Sequence, residues 1–287
     1  MVMKYGVTGA SGRLGRLVLC KILEQIPHDR IVALTRNPSK LSDLARQGVA
    51  VRYADFDRPE TVRQALVGVE RLLLISADEL GKRERQHVTV IEAAKESGVT
   101  FIAYTSVLHA DTCTINLAGE HRATEVALQE SGLNHAILRH GWYMENILSS
   151  AQQHLATGHI LGCSGQGRQS AATRADFAAG DAAVLLDPTI ITGTFELAGD
   201  YGFTMDEYAA TLADVTGSPV RYVDLSEHDY GSRLVAAGRP ERFASMIAHA
   251  SAKCADNVMF DGSGTLSKLI GRPTVPLRDA IVATLDL

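Results

Sequence analysis

The stretch Tyr5-Gly6-Val7-Thr8-Gly9-Ala10-Ser11-Gly12-Arg13-Leu14-Gly15 decides the fold. A short apolar run enters a turn with glycines at positions 9, 12 and 15, and a helical pattern starts at once. Leu14, Leu17, Val18, Ile22 and Leu23 recur at the helical period and form one apolar stripe, while Arg13, Arg16, Lys21 and Glu24 face outward. The motif is G-x-x-G-x-x-G rather than the commoner G-x-G-x-x-G. The physical logic is shared. Gly9 permits a tight turn, Gly12 lets the backbone approach a pyrophosphate, and Gly15 allows close packing of helix on strand. The helix start then points free N–H groups and the positive end of its dipole at the phosphates. Ser11, Arg13 and Leu14 lie within this loop and the first helical turn and count as candidate ligand-side residues. The alternative is a glycine turn with no ligand.

Outward from this loop, β-type runs alternate with helical patterns. The runs are Tyr5–Thr8, Ile31–Thr35, Val49–Tyr53, Arg71–Ile75, Phe101–Ser106 and His135–Arg139. Such alternation implies βαβ units and a parallel sheet covered by helices on both faces. Leu72-Leu73-Leu74-Ile75 is continuously apolar, as a strand buried on both sides must be. The expected fold is α/β, a doubly wound parallel-sheet Rossmann domain over residues 1–143. Residues 144–287 are expected to form a smaller α/β substrate lobe, partly interleaved with the first. There the pattern loosens into a glycine-rich loop from Gly158 to Gly167, a helix from Arg174 to Leu186, and short strands at Thr194–Leu197 and Val220–Val223. Asp206–Val215 reads as a helix with Thr204 as its N-cap and Glu207 completing a capping box. Ser226–Ala237 reads as another.

The end of the second strand selects the dinucleotide. An NAD-preferring fold places an acid about twenty residues past the loop, to hold the ribose 2′-hydroxyl. Here that strand ends Ala33-Leu34-Thr35-Arg36-Asn37, with an arginine and no acid. A guanidinium suits a 2′-phosphate, which it grips through two hydrogen bonds. NADPH (NADP+) is therefore the expected cofactor, with Arg13 offering a second charge. A charged hydrogen bond contributes roughly 1.5–3 kcal/mol, or about 10- to 100-fold preference. The competing reading of Arg36 is a solvated arginine at a helix entrance. Other strand ends should line the same crevice. Asp55 and Phe56 follow the third strand on the adenine side, Ser76 follows the fourth, and Tyr104, Thr105 and Ser106 end the fifth. Each also reads as an ordinary loop or strand-end residue.

Composition excludes several classes. With 28 Lys and Arg against 33 Asp and Glu, net charge is −5, and no basic run is present, so nucleic acid is not an expected partner. No apolar stretch is long enough to span a membrane. Residues 1–9 run straight into a strand-like segment without the parts of a signal peptide. The four cysteines, Cys20, Cys113, Cys163 and Cys254, form no metal-ligand spacing and read as reduced thiols. A cytoplasmic protein without a metal site is expected. Oligomeric state is not legible.

The chain resembles the NmrA-like, atypical short-chain dehydrogenase/reductase family, and within it the bacterial NADPH-dependent quinone reductases, with triphenylmethane dye reductases nearby. The resemblance runs through GVTGASGRLG, IVALTRNPSK, LLLIS, FIAYTSVLHADT, ILRHGWYMEN, SAATRADFA, FELAGD and LSKLIGRP. It implies a Rossmann domain with a small C-terminal domain, NADPH use, and hydride transfer to a quinone. It also places Gly9, Gly12, Gly15, Arg36 and Ser76 on cofactor positions. One departure concerns the wider superfamily, which carries a Tyr-x-x-x-Lys pair. Here Tyr104 is followed four residues later by Leu108, and Tyr143 by Ile147. Some NmrA-like reductases carry Lys-x-x-x-Glu on the next helix, and that alignment puts His121 at the lysine position, one turn from Glu125. His140 stands where relatives often have Asn or Pro, at a strand end that could border the nicotinamide. Both also read as histidines with no chemical part.

A quinone needs only a hydride and a proton. Tyr104, His121 or Tyr143 could supply the proton or hold the carbonyl. Trp142 and Tyr143 could stack on a flat apolar quinone, though Trp142 also reads as core. Two other functions share these residues: a redox sensor that binds NADP(H) without turnover, and a reductase of another acceptor such as a triphenylmethane dye.

Overall fold

The computed structural model describes residues 3–287. Met1 and Val2, which open the signal-peptide reading, lie outside the described residues. Nine strands are present among them: β1 Tyr5–Val7, β2 Ile31–Thr35, β3 Ala50–Tyr53, β4 Arg71–Leu74, β5 Phe101–Val107, β6 Asn134–His140, β7 His159–Gly162, β8 Thr192–Leu197 and β9 Arg221–Asp224. A seven-stranded sheet has the order β3-β2-β1-β4-β5-β6-β8, and β7 and β9 form a second, two-stranded sheet. From β3 to β6 every neighbouring pair is parallel. This is the doubly wound order, and it reverses between β1 and β4. The carboxyl ends of these two strands therefore flank the one place where backbone leaves the sheet in both directions.

By contact the chain divides into two compact units. The first holds the described residues up to Val107, with Glu120–His140 and Arg174–Phe195; the second holds Leu108–Gly119, Gly141–Thr173 and Glu196–Leu287. The chain passes between them more than once, so no single cut at residue 143 separates them.

In the first unit, one face of the sheet buries Val32, Leu34, Leu72, Leu74, Ile102 and Tyr104 with Val62, Leu66, Val90, Ile91 and Leu128 from the helices Pro59–Leu66, Arg83–Glu96 and Asn116–Ser131. The strands β2, β4 and β5 are buried along their whole length, as their apolar runs require. The helix Arg174–Leu186 has the predicted bounds but belongs to this first unit, not to the second lobe. Arg71 of β4 holds its end. Its Nε donates to Leu185 O at 2.8 Å, and Nη2 donates to Val184, Asp187 and Ile190 carbonyls at 3.2, 3.0 and 3.2 Å. The guanidinium lies 3.7 Å from the centre of the Phe101 ring. The Val184 and Leu185 carbonyls belong to the last helical turn, whose acceptors lack intrahelical partners, and Asp187 and Ile190 follow it in the chain.

In the second unit, Met144, Leu148, Ile160, Phe203, Tyr208, Leu212 and Ile281 share one core. The helix Met205–Thr216 starts with the predicted capping box: Thr204 Oγ1 accepts from Glu207 N at 3.1 Å, and the Glu207 carboxylate accepts from Thr204 N at 2.9 Å. Two expectations fail here. The stretch read as loop from Gly158 to Gly167 contains β7, because His159–Gly162 pairs in register with Arg221–Asp224, sixty-two positions away. Thr194–Leu197, read as part of the second lobe, extends to β8 and edges the large sheet beside β6. Both depend on long-range pairing that a local pattern does not record. Among the described residues, no helix is long and apolar enough to cross a membrane.

Candidate dinucleotide site

The glycine loop sits between β1 and the helix Arg13–Leu23. Gly9 has φ +57°, a conformation other residues rarely adopt, and its carbonyl accepts from Gly12 N at 2.8 Å to close the turn. A Cβ on Gly15 would stand 2.4 Å from Gly9 O and 2.8 Å from Ala10 Cα, so only glycine lets the helix come this close. A Cβ on Gly12 would stand 3.1 Å from Gly9 O. Gly12 is the N-cap, no side chain caps the helix, and its first turn holds no acid. Among the described residues, the early N–H groups thus take no side-chain cap and face no acid from their own first turn. This cradle fits a dinucleotide pyrophosphate. Leu14 is buried beneath it, while Arg13 is exposed in the first turn. Ser11 shares a 2.7 Å hydrogen bond with Thr35 at the end of β2, and Thr35 Oγ1 accepts from Asn37 N at 3.0 Å. The loop is therefore tied to the strand that carries Arg36.

Arg36 is exposed just past β2, and its Nη1 lies 2.7 Å from Glu79 Oε1. Glu79 comes from the loop after β4, and its other oxygen lies 3.0 Å from Lys82 Nζ. Lys82 first, and Arg36 second, hold the Glu79 carboxyl below the usual carboxylate range. Sequence reading did not find Glu79. It lies forty-three positions from Arg36, in a loop with no motif. The same loop is pinned elsewhere: Gly81 N donates to Glu120 Oε1 at 2.5 Å, and Arg83 bonds both Ala77 O at 2.7 Å and Glu120 Oε2 at 2.6 Å.

The other strand ends hold mainly one another. Asp55, after β3, accepts from Asp57 N at 3.0 Å, and Phe56 packs on the core. Thr105 Oγ1 accepts from Ser76 N at 2.9 Å, joining the ends of β4 and β5. Successive residues of a strand face opposite sides. Thr105 and Tyr104 therefore diverge, and Tyr104 goes into the core.

Tyr104 Oη lies 2.7 Å from His121 Nδ1. Burial pushes the tyrosine up and the histidine well down, so the phenol donates to a neutral imidazole. Two of the three residues expected as proton donors, Tyr104 and His121, are thus brought together, but inside the core, with Tyr104 0% exposed. His87, which sequence reading missed, packs edge-on against Tyr104. Its Nε2 accepts from Ala77 N at 2.9 Å, so Nδ1 carries the proton toward Thr124 Oγ1, also at 2.9 Å. Burial pushes His87 down to about 3. Glu125, one turn from His121, is taken up by Arg139 at 2.7 and 3.0 Å and by Ser106 at 2.5 Å.

His140 ends β6, buried, with Nε2 at 2.8 Å from Asp181 Oδ1 and its ring stacked 4.5 Å from Phe177. Both partners come from the helix Arg174–Leu186. Trp142 and Tyr143 belong to the second unit. The Trp142 indole packs on that unit's core and lies 3.5 Å from Cys254 Sγ. Tyr143 is half-buried, bridges to Ala172 and precedes the helix Met144–Leu148.

A family model described as NAD(P)H-binding matches residues 9–188. The chain belongs to the NAD(P)H-binding family. The match spans the glycine loop, Arg36 and the helix Arg174–Leu186. As a member of this family, the chain is 45% identical over 275 residues to quinone oxidoreductase 2 of Escherichia coli strain K12, covering 96% of each chain. The crystal structure of NADPH-dependent quinone oxidoreductase from Escherichia coli complexed with NADPH matches with a TM-score of 0.96 and 44% identity, over 98% of this chain and 99% of that one. The Citrobacter sp. triphenylmethane reductase complexed with NADP(H) matches with a TM-score of 0.94 and 33% identity, over 98% of this chain and 100% of that one. The resemblance drawn above from short segments therefore extends along the whole family member.

Proposed function

We propose that the protein is an NADPH-dependent quinone reductase. The observation that carries this reading is the uncapped glycine loop beside Arg36, in a chain related along its length to a quinone oxidoreductase. Bound NADPH supplies the hydride, and the protein supplies binding and orientation. Gly9, Gly12 and the first N–H groups of the helix hold the pyrophosphate, with Ser11, Arg13, Leu14 and Gly15 shaping the cradle. Arg36 grips the 2′-phosphate. Asp55 and Phe56 border the adenine, Ser76 and Thr105 the far end of the crevice, and His140 the nicotinamide, its ring fixed by Asp181 and Phe177. Trp142 and Tyr143, which follow β6 in the chain, offer aromatic faces to the quinone.

The quinone accepts a hydride and then one proton, which gives the hydroquinone. Its anion needs no strong acid, so water or the Tyr143 hydroxyl suffices as donor. Tyr104 and His121 are positioning residues in this reading, since their hydrogen bond holds the middle of β5 from within the core. The free thiols suit a reducing compartment, and we place the protein in the cytoplasm.

Steady-state oxidation of NADPH and NADH by a simple benzoquinone tests the reading, with a triphenylmethane dye as second acceptor. Protein-dependent oxidation by quinone that favours NADPH is expected. Tight NADPH binding without any oxidation would favour the sensor, and faster reduction of the dye would favour a dye reductase.

A further inference from the structure

Arg36 and Glu79 reach toward each other from opposite sides of the strand that carries the glycine loop. In the sheet order, β2 and β4 flank β1. Arg36 follows β2, and Glu79 follows β4. Their 2.7 Å ion pair therefore joins two loops at the end where phosphates would bind. The acid missing from the end of β2 is present in space, supplied by a different loop.

We infer that Glu79 is a specificity residue that competes with the 2′-phosphate of NADPH for Arg36 and accepts the ribose 2′-hydroxyl of NADH, so that one site uses both dinucleotides. This rests on the reading of Arg36 as the 2′-phosphate ligand. The chemistry is an exchange of anions. A phosphate that reaches Arg36 must displace the carboxylate already on it. Glu79 can yield without being stranded, because its second oxygen is 3.0 Å from Lys82 Nζ. The Arg36 side chain is 61% exposed and that of Glu79 29%, so the pair is water-screened and easily exchanged. With NADH no phosphate arrives. Glu79 then remains as the only kind of group that an NAD-selective site places there, a carboxylate for the 2′-hydroxyl.

Isothermal titration of NADPH and NADH into the wild-type protein, Glu79→Gln and Arg36→Met tests this, with melting curves to establish folding. Glutamine keeps the shape and removes the charge. Glu79→Gln is expected to bind NADPH about fivefold more tightly and NADH about fivefold more weakly, the scale of one exposed charge contact on each side. Arg36→Met is expected to bind NADPH no better than NADH. If Arg36→Met loses NADPH affinity but Glu79→Gln leaves the ratio of the two affinities unchanged, the assignment of Glu79 is overturned while that of Arg36 stands. If Arg36→Met binds NADPH as the wild type does, the reading of Arg36 fails and the assignment of Glu79 falls with it.

Discussion

A methyl group decides whether the glycine loop exists. At Gly15 it would lie 2.4 Å from backbone oxygen, and backbone cannot step aside as a side-chain tip can. Gly15→Ala is expected to lose about 1–3 kcal/mol of stability by forced displacement and to lose most NADPH affinity, which thermal denaturation and a binding titration would separate. A variant that binds NADPH normally would mean that close helix–strand packing does not shape the site. Arg36 governs the other end of the cofactor. Its removal is expected to weaken NADPH by about 10- to 100-fold while sparing NADH. These residues were legible because each sits at a fixed offset from a recognisable strand end. Glu79, His87 and Asp181 were not. Their importance comes from partners forty-three, ten and forty-one positions away, and no local pattern encodes such a distance. Burial was equally invisible. Tyr104 and Thr105 are adjacent, both polar-tipped and both buried, yet the pleat points them to opposite faces of the sheet.

The elements of the first unit were readable because buried parallel strands must be continuously apolar. Ile31–Thr35 and Arg174–Leu186 have the expected ends, and the others differ by a few residues. The end of the helix Arg174–Leu186 depends on Arg71, and this was hidden. An arginine opening an apolar strand looks like an exposed charge. In fact four carbonyls share it. Arg71→Met is expected to destabilise the protein by about 3 kcal/mol, because it strands buried acceptors. Urea denaturation would measure this, and NADPH affinity should not change in the variant that remains folded. The capping box is a milder case. Thr204→Ala is expected to cost about 1 kcal/mol, again read by denaturation. The small sheet of β7 and β9 was missed because four-residue strands between glycines carry little signal until their partner is known.

At the scale of the whole molecule, the buried histidines His87 and His121 contribute to a loss of stability in acid. His87 is held near 3 and His121 well below its ordinary value, chiefly by burial. The unfolded chain therefore binds protons below pH 6.5 that the folded chain refuses. Stability is full above that value and falls as pH drops toward 3, by up to about 1.4 kcal/mol per pH unit for each such histidine. Denaturation midpoints across this range should fall with acidity, and His87→Gln should flatten the slope. An unchanged slope would mean that the ring is not excluded from protonation in the folded state. The features of this fold converge on delivery of a hydride from NADPH to a quinone. Its most direct test is a single turnover. Protein loaded with one equivalent of NADPH is mixed, without oxygen, with one equivalent of benzoquinone, while reduced-nicotinamide absorbance and hydroquinone are followed together. The absorbance is expected to disappear far faster than without protein, with hydroquinone formed in equal amount. Bound NADPH whose absorbance persists beside the quinone would contradict it.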